Sequence, residues 1–263
     1  MLNLTHLSAA TLISLLVAAA LAGWVDAVAG GGGLIQLPAL LLGLPKTVPA
    51  TVLGTNKLSS VMGTTAATAT YLRRPEARPH LRTAFTMAGA AFIGSALGAH
   101  AASAVPAQVF RPLVVALLCL VGLWTWRRPA LGESANLRWQ PGPRMYTVVA
   151  VIGLVIGFYD GIFGPGTGSF LVFLLVSVVG FSFLRASATA KVVNLSTNVG
   201  AIIVFGAGGH LLVPLGIAMG ACNVFGGLVG ARMAVARGSG FVRKVFLTVV
   251  VVLIARLGWQ TLH

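Results

Sequence analysis

Apolar residues run almost unbroken along this chain, in stretches separated by short polar breaks. The stretches cover 7–29, 34–44, 49–72, 83–104, 109–126, 145–163, 168–180, 183–207, 211–231 and 241–260. Most approach the ~20 residues that a membrane-spanning helix requires. A transmembrane barrel instead shows alternating strands of about ten residues. The pattern therefore predicts an all-α integral membrane protein of about ten hydrophobic segments. The first stretch ends in small residues, as a signal peptide does. No Lys or Arg precedes Lys46, however, so the stretch is read as a membrane segment.

Two stretches are too short to span as ordinary helices. Leu34–Leu44 rises only about 17 Å at ~1.5 Å per residue, against a hydrocarbon core of ~30 Å. The preceding Gly30, Gly31, Gly32 and Gly33 add about 13 Å if extended. An unwound glycine stretch followed by a half-helix just crosses. Such backbone is tolerated at that depth only where protein or a wet cavity covers it. The stretch from Gly164-Pro165-Gly166-Thr167-Gly168 to Gly180 has the same form.

These two stretches belong to an internal repeat. Adding 134 to a residue number carries Asp26 to Asp160, Gly30 to Gly164, Thr55 to Thr189 and Lys57 to Lys191, with no gap from Asp26 to Lys57. With a small shift, Gly94-x-x-x-Gly98 matches Gly226-x-x-x-Gly230, a spacing that suits close helix packing. The predicted organisation is a first repeat over 1–127, a cytoplasmic linker over 128–144 and a second repeat over 145–263, with five membrane segments each. An odd number of passes inverts the second copy. Inverted repeats with paired glycine-broken short helices point to a secondary transporter whose site lies between the repeats.

Charge supports this organisation. Hydrophobic residues make up 57% of the chain and charged residues 8%, against roughly 25% charged in a soluble domain. The net charge of +14 does not indicate nucleic acid, because the basic residues occupy the breaks and do not line one solvated face. They cluster at Arg73, Arg74, Arg78 and Arg82, at Arg127, Arg128, Arg138 and Arg144, and at Arg232, Arg237, Arg243 and Lys244. The positive-inside rule puts all three clusters in the cytoplasm if both short segments cross. Trp24, Tyr71, Trp126 and Trp259 are then expected near the interfaces. Cys119 and Cys222 lie within apolar runs.

Four acidic residues exist, and Asp26 and Asp160 are two of them. Lys57 and Lys191 lie inside apolar segments, where a lysine costs about 2.5–3.5 kcal/mol on insertion scales. Thr55, Asn56, Ser59, Ser60, Thr64, Thr189, Asn194, Ser196, Thr197 and Asn198 surround them with neutral polar groups. Lysine offers three donors, and half-helix N-termini add N–H groups and a positive dipole end. The set suits an anion near the midplane. A structural alternative pairs Lys57 with Asp26 and Lys191 with Asp160 as a buried strut inside each copy. For the Ser, Thr and Asn residues the alternative is plain interhelical hydrogen bonding. The glycine-rich stretch from Gly164 lacks a Gly-Lys-Ser/Thr ending and is no P-loop. No metal-ligand spacing occurs, and no cofactor or enzymatic activity is expected.

The stretch D-A-V-A-G-G-G-G-L-I-Q-L-P-A-L-L-L-G-L-P from Asp26 to Pro45 resembles the opening signature of the sulfite exporter TauE/SafE family. V-L-G-T-N-K-L-S-S-V-M-G-T from Val52 to Thr64 is similar to its G-T-N-K signature, and A-A-T-A-T-Y-L-R-R from Ala66 to Arg74 continues it. D-G-I-F-G-P-G-T-G-S from Asp160 and A-T-A-K-V-V-N-L-S-T-N from Ala188 resemble the second repeat. Lys46-Thr47-Val48 departs from the Pro-rich turn more usual there. The resemblance implies a multi-pass protein of the bacterial inner membrane that moves sulfite, sulfonates or related organosulfur anions.

The expected function is a secondary transporter of a small sulfur-containing anion working by alternating access. Lys57 and Lys191 attract the anion, and Thr55, Asn56, Thr189, Asn194 and Asn198 bond its oxygens. Gly31, Gly32, Gly33, Gly166 and Thr167 bring backbone to it, and Asp26 and Asp160 are the candidates for proton coupling. The partners are that anion and the lipid bilayer, with no nucleic acid; a homodimer is compatible with the sequence. A passive anion channel of the same fold is the alternative. A membrane-bound assembly subunit is a third reading, disfavoured by the lack of a sizeable soluble domain.

Overall fold

Short caps and glycines cut the apolar runs into discrete helices, and the computed structural model describes residues 7–102 and 135–262. The described helices are α1 (Ala9–Ala29), α2 (Gly33–Gly43), α3 (Pro49–Leu72), α4 (Leu81–Ala101), α5 (Pro143–Ile162), α6 (Thr167–Leu174), α7 (Phe183–Ala207) and α8 (Val213–Leu262). A π turn at Leu175–Val179 prolongs α6. The apolar run at 109–126 lies outside the described residues, as do Cys119, Trp126, Arg127, Arg128 and the side chain of Trp259.

Local chemistry sets the ends of the helices. Ser8 opens α1 by accepting the Thr11 N–H at 3.1 Å, and Ser182 opens α7 by accepting from Arg185. Pro49 and Pro143 occupy first turns, where a missing N–H costs nothing. The stretch 232–240, expected as a break between spans, is helical up to Gly238, whose φ of 71° interrupts α8. A single glycine there does what a loop was expected to do.

Among the described residues, five helices are long and apolar enough to cross a membrane: Ala9–Ala29, Leu81–Ala101, Pro143–Ile162, Phe183–Ala207 and the first part of α8. Gly33–Gly43 and Thr167–Val179 are shorter and apolar. α3 has the length, at 24 residues, but spends much of it on the hydroxyl, amide and lysine side chains that build the site. Ile13, Val17 and Leu21 form an exposed stripe along α1, and Val151 and Val155 do so along α5. Phe85, Ile93, Leu97, Ile217 and Phe225 extend this apolar outer surface. Apolar surface on this scale is at home against lipid, and the protein is a multi-pass membrane protein.

Packing exchanges partners between the halves. α1 packs along α8, and its counterpart α5 packs along α4; α3 packs on α8, and α7 on α4. Glycines make these approaches possible. A methyl on Gly94 would meet the carbonyl of Leu154, and one on Gly226 would meet the carbonyl of Ala20. Leu154 and Ala20 are related by the same 134-residue offset. Hydroxyls join the helices: Ser187 Oγ donates to the Val28 carbonyl at 2.8 Å, and Ser95 Oγ to that of Thr197 at 2.7 Å. Such bonds average ~0.6 kcal/mol in membranes. Tyr71 is not an interfacial ring. It is buried, with its hydroxyl donating to the Ala27 carbonyl at 2.8 Å.

The described basic clusters gather at one end of the bundle. Arg82 lies 5.5 Å from the Tyr146 ring centre, which joins the starts of α4 and α5. Before α5 the chain straps onto the π turn: Asn136 N–H donates to Gly180 O at 2.8 Å and Arg138 N–H to Val179 O at 3.1 Å. The Leu184 N–H in turn reaches Ser239 Oγ, beside the third cluster. The large apolar core, with Phe183, Leu175, Met145 and Phe246, is continuous. Two smaller clusters form separately, one around Leu15, Leu40 and Met219 and one around Ala201 and Phe205.

Candidate functional site

Two glycine breaks meet at the centre of this packing. Gly30 closes α1 with φ 68°, and its N–H donates to the Asp26 carbonyl at 3.0 Å. A methyl on Gly30 would fall on the backbone of Gly168, so neither position has room for a side chain. The hydroxyl of Ser169 also donates to the Gly30 carbonyl. On the other side Gly166, left-handed with φ 83°, opens α6, and no side chain caps that helix. α2 likewise starts at Gly32 without a side-chain cap. A methyl on Gly33 would meet Pro165 and Gly164, so the two half-helices begin beside one another, and Gly31, Gly33, Gly166, Thr167 and Gly168 border a common space.

That space is a cavity of about 30 Å³, room for about two water molecules at ~10–15 Å³ each. Repeat-related elements contribute to it in pairs. α1 and α5 give Asp26 and Asp160; the glycine breaks and half-helix starts give Gly31, Gly33, Gly164, Gly166, Thr167 and Gly168. α3 gives Asn56, Lys57 and Ser60, and α7 gives Asn194 and Asn198. Ser60 and Asn194 are equivalent positions under the 134-residue offset.

The two lysines and two aspartates pair across the repeats and not within them. Lys57 Nζ lies 2.6 Å from Asp160 Oδ2, and Lys191 Nζ lies 2.7 Å from Asp26 Oδ2. The expected struts Lys57–Asp26 and Lys191–Asp160 are thereby corrected. The cause is the exchanged packing, which carries α1 to the second half and α5 to the first. The Lys191 side chain is fully buried and that of Asp26 is 20% exposed, whereas Lys57 and Asp160 are 3% and 6% exposed. Asp26 Oδ1 also accepts the Gly31 N–H at 3.3 Å, which ties the carboxylate to the glycine break.

The remaining expected residues divide by position. Asn56, Asn194, Asn198, Gly31, Gly33, Gly166 and Thr167 line the cavity with Lys57. Lys191 stands behind Asp26. Thr55, Thr189 and Gly32 are outside the lining. Thr55 donates to the Thr51 carbonyl at 2.7 Å and accepts the Leu212 N–H at 3.0 Å, and Thr189 donates to the Arg185 carbonyl at 2.8 Å. Both hydroxyls hold helices. The Thr167 hydroxyl donates to the Gly164 carbonyl at 2.8 Å and fixes the second break.

Asn56 Oδ1 and Asn194 Oδ1 are buried without a hydrogen-bond partner. Both amides line the cavity, and turning either about its last bond presents N–H donors in place of an acceptor. Sequence reasoning missed two buried amides nearby. Gln36 of α2 accepts from Asn223 Nδ2 at 2.8 Å and donates to the Asn56 carbonyl at 3.4 Å. The signal was present, because Gln36 is the one polar side chain in an otherwise apolar half-helix. No group of three or more His, Cys, Asp or Glu residues able to hold a metal occurs among the described residues.

The family model for the sulfite exporter TauE/SafE matches residues 15–257. The chain is 38% identical over 244 residues to a probable membrane transporter protein, ORF9, of Sinorhizobium sp, covering 92% of this chain and 90% of that one. It is 34% identical over 247 residues to a probable membrane transporter protein of Haemophilus influenzae, covering 90% and 92%. It is 34% identical over 255 residues to the probable membrane transporter protein YfcA of Escherichia coli K12, covering 93% and 90%. No solved structure matches the chain.

Proposed function

The chain belongs to the sulfite exporter TauE/SafE family of membrane transporters, and from that premise we propose that it moves small sulfur-containing oxyanions by alternating access. One observation carries the reading: the Lys57–Asp160 pair and Asp26, which is backed by Lys191, stand at one small cavity onto which two half-helix N-termini open. Each lysine is a compact cation with three donors. The half-helix starts supply N–H groups and positive dipole ends. Asn56, Asn194 and Asn198 supply amides that rotate to donate. An oxyanion entering here takes over the lysines as its partners and accepts from the amides and the glycine backbone. Thr55 and Thr189 steady the lysine-bearing turns from behind.

The alternating-access part rests on the exchanged partners. The pairing of α1 with α8 and of α5 with α4, together with the 134-residue offset, supports two inverted repeats of five segments each. In that arrangement each ion pair joins one repeat to the other. Opening one while the other stays closed exposes the cavity to one side at a time. The cavity, at about 30 Å³, is too small for a sulfur oxyanion until a pair parts. Asp26 and Asp160 are the groups through which protons couple to this movement.

The test is tracer uptake into proteoliposomes preloaded with unlabelled anion. Labelled sulfite, thiosulfate and methanesulfonate are compared with chloride and acetate. Saturable uptake of a sulfur anion, accelerated by the same anion inside, is the expected result. A channel shows no such acceleration. The absence of sulfur-anion uptake by demonstrably folded protein overturns the reading.

A further inference from the structure

The charges around the cavity sum to zero, and this fixes what must travel with the cargo. We propose that each negative charge of the transported anion is carried with one proton, taken up on Asp26 or Asp160, so that transport is electroneutral for both monovalent and divalent oxyanions. The inference rests on the reading of this cavity as the anion site.

Lys57 and Asp160 are both more than nine-tenths buried, and Lys191 is fully so. An oxyanion that takes a lysine as its partner displaces the carboxylate. The displaced carboxylate, Asp160 at 6% exposure or Asp26 at 20%, is then left in a mostly enclosed site with no cation beside it, and such a group takes up a proton rather than stay charged. The exchange balances: a lysine ammonium paired with an aspartate carboxylate, plus one anion charge and one proton, gives the ammonium paired with the oxyanion and a neutral aspartic acid. The proton sits on the carboxyl oxygen that the lysine has left. Release on the other side reverses each step. Two carboxylates serve two lysines, so the capacity is two charges and two protons.

Other groups near the carboxylates do not alter this balance. Asp26 faces Lys191 from α7 and Tyr71 from α3, and Asp160 faces Lys57 from α3, with Tyr159 beside it on α5. Both tyrosine hydroxyls are committed as donors, to the Ala27 and Pro165 carbonyls at 2.8 and 2.6 Å. The lining from α2, from α6 and its glycine break, and from α7 is glycine, threonine and asparagine. α8 contributes no residue to it.

The experiment uses the full chain in proteoliposomes. Thiosulfate serves as a fixed dianion and methanesulfonate as a fixed monoanion. Tracer uptake and internal acidification are recorded together, with the membrane potential clamped by potassium and valinomycin. The expected result is two protons per thiosulfate and one per methanesulfonate, with initial rates that change less than twofold when the potential is reversed. In D160N, which carries a permanently neutral group, the thiosulfate ratio falls to one and uptake becomes potential-dependent. Anion flux without proton movement, or the same ratio for both anions, overturns the proposal even if D160N does not fold, because the wild-type ratios decide it. Failure of both anions to move in folded protein overturns the transporter reading, and this inference with it.

Discussion

Crossed pairing of the buried charges makes a sharp prediction about stability that does not depend on transport. Lys57→Met leaves the Asp160 carboxylate, 6% exposed, without its cation. Removing one partner of a buried pair costs about 3–5 kcal/mol. Asp160→Asn orphans Lys57 at a comparable cost. The double variant K57M/D160N removes both charges, and replacing a buried pair by neutral groups is often neutral or stabilising. It should therefore be more stable than either single variant, which requires a coupling energy larger than one single-variant loss, that is above about 3–5 kcal/mol. K57M/D26N is the control. It orphans both Asp160 and Lys191, so its losses should add to about 6–10 kcal/mol. Unfolding in mixed micelles by increasing SDS mole fraction measures each difference. Recovery in K57M/D26N with additivity in K57M/D160N would mean that the pairs form within each repeat, and the exchanged packing would be wrong.

Three further outcomes follow from the packing. Gly94→Leu drives a side chain into the Leu154 carbonyl and should abolish folded protein on size-exclusion chromatography, whereas Gly89→Ala, whose added methyl meets nothing within 4 Å, should leave the profile unchanged. Ser187→Ala deletes the bond to Val28 and should cost about 0.6 kcal/mol, at most ~1.7, in the same SDS titration. Gly166→Ala forces a side chain onto a left-handed residue with φ 83°, which costs about 1–2 kcal/mol and should lower the unfolding midpoint.

Much of this architecture was legible in the sequence. The half-helices at Gly33–Gly43 and Thr167–Leu174 fall where the apolar runs are too short, because four-glycine and Gly-Pro-Gly breaks leave few other choices. Asp26, Lys57, Asp160 and Lys191 stood out because charge in an apolar run is costly; three of them line one cavity, and Lys191 pairs with Asp26 behind it. Their partners were not legible. An offset of 134 shows which residues are equivalent, but it cannot show that equivalent helices pack across the halves. The structural alternative of intra-repeat pairing therefore named the wrong partners. Thr55 and Thr189 illustrate a related limit. A hydroxyl beside a lysine at helical spacing faces either the cavity or its own preceding turn, and both of these bond the carbonyl four residues back. Tyr71 looked interfacial because it precedes Arg73 and Arg74, yet its hydroxyl is committed to the end of α1. Gln36 and Asn223 escaped because each is a single amide in an apolar helix, one short and one long, and their contact spans 187 residues.

The central claim is that the lysines of this cavity hold the transported anion. Its most direct test is thiosulfate counterflow by wild-type protein beside K57M/D160N, after SDS titration has shown the variant folded. Saturable counterflow in the wild type and its loss in the variant is the predicted result. Undiminished counterflow in the variant would place the anion elsewhere and contradict the account.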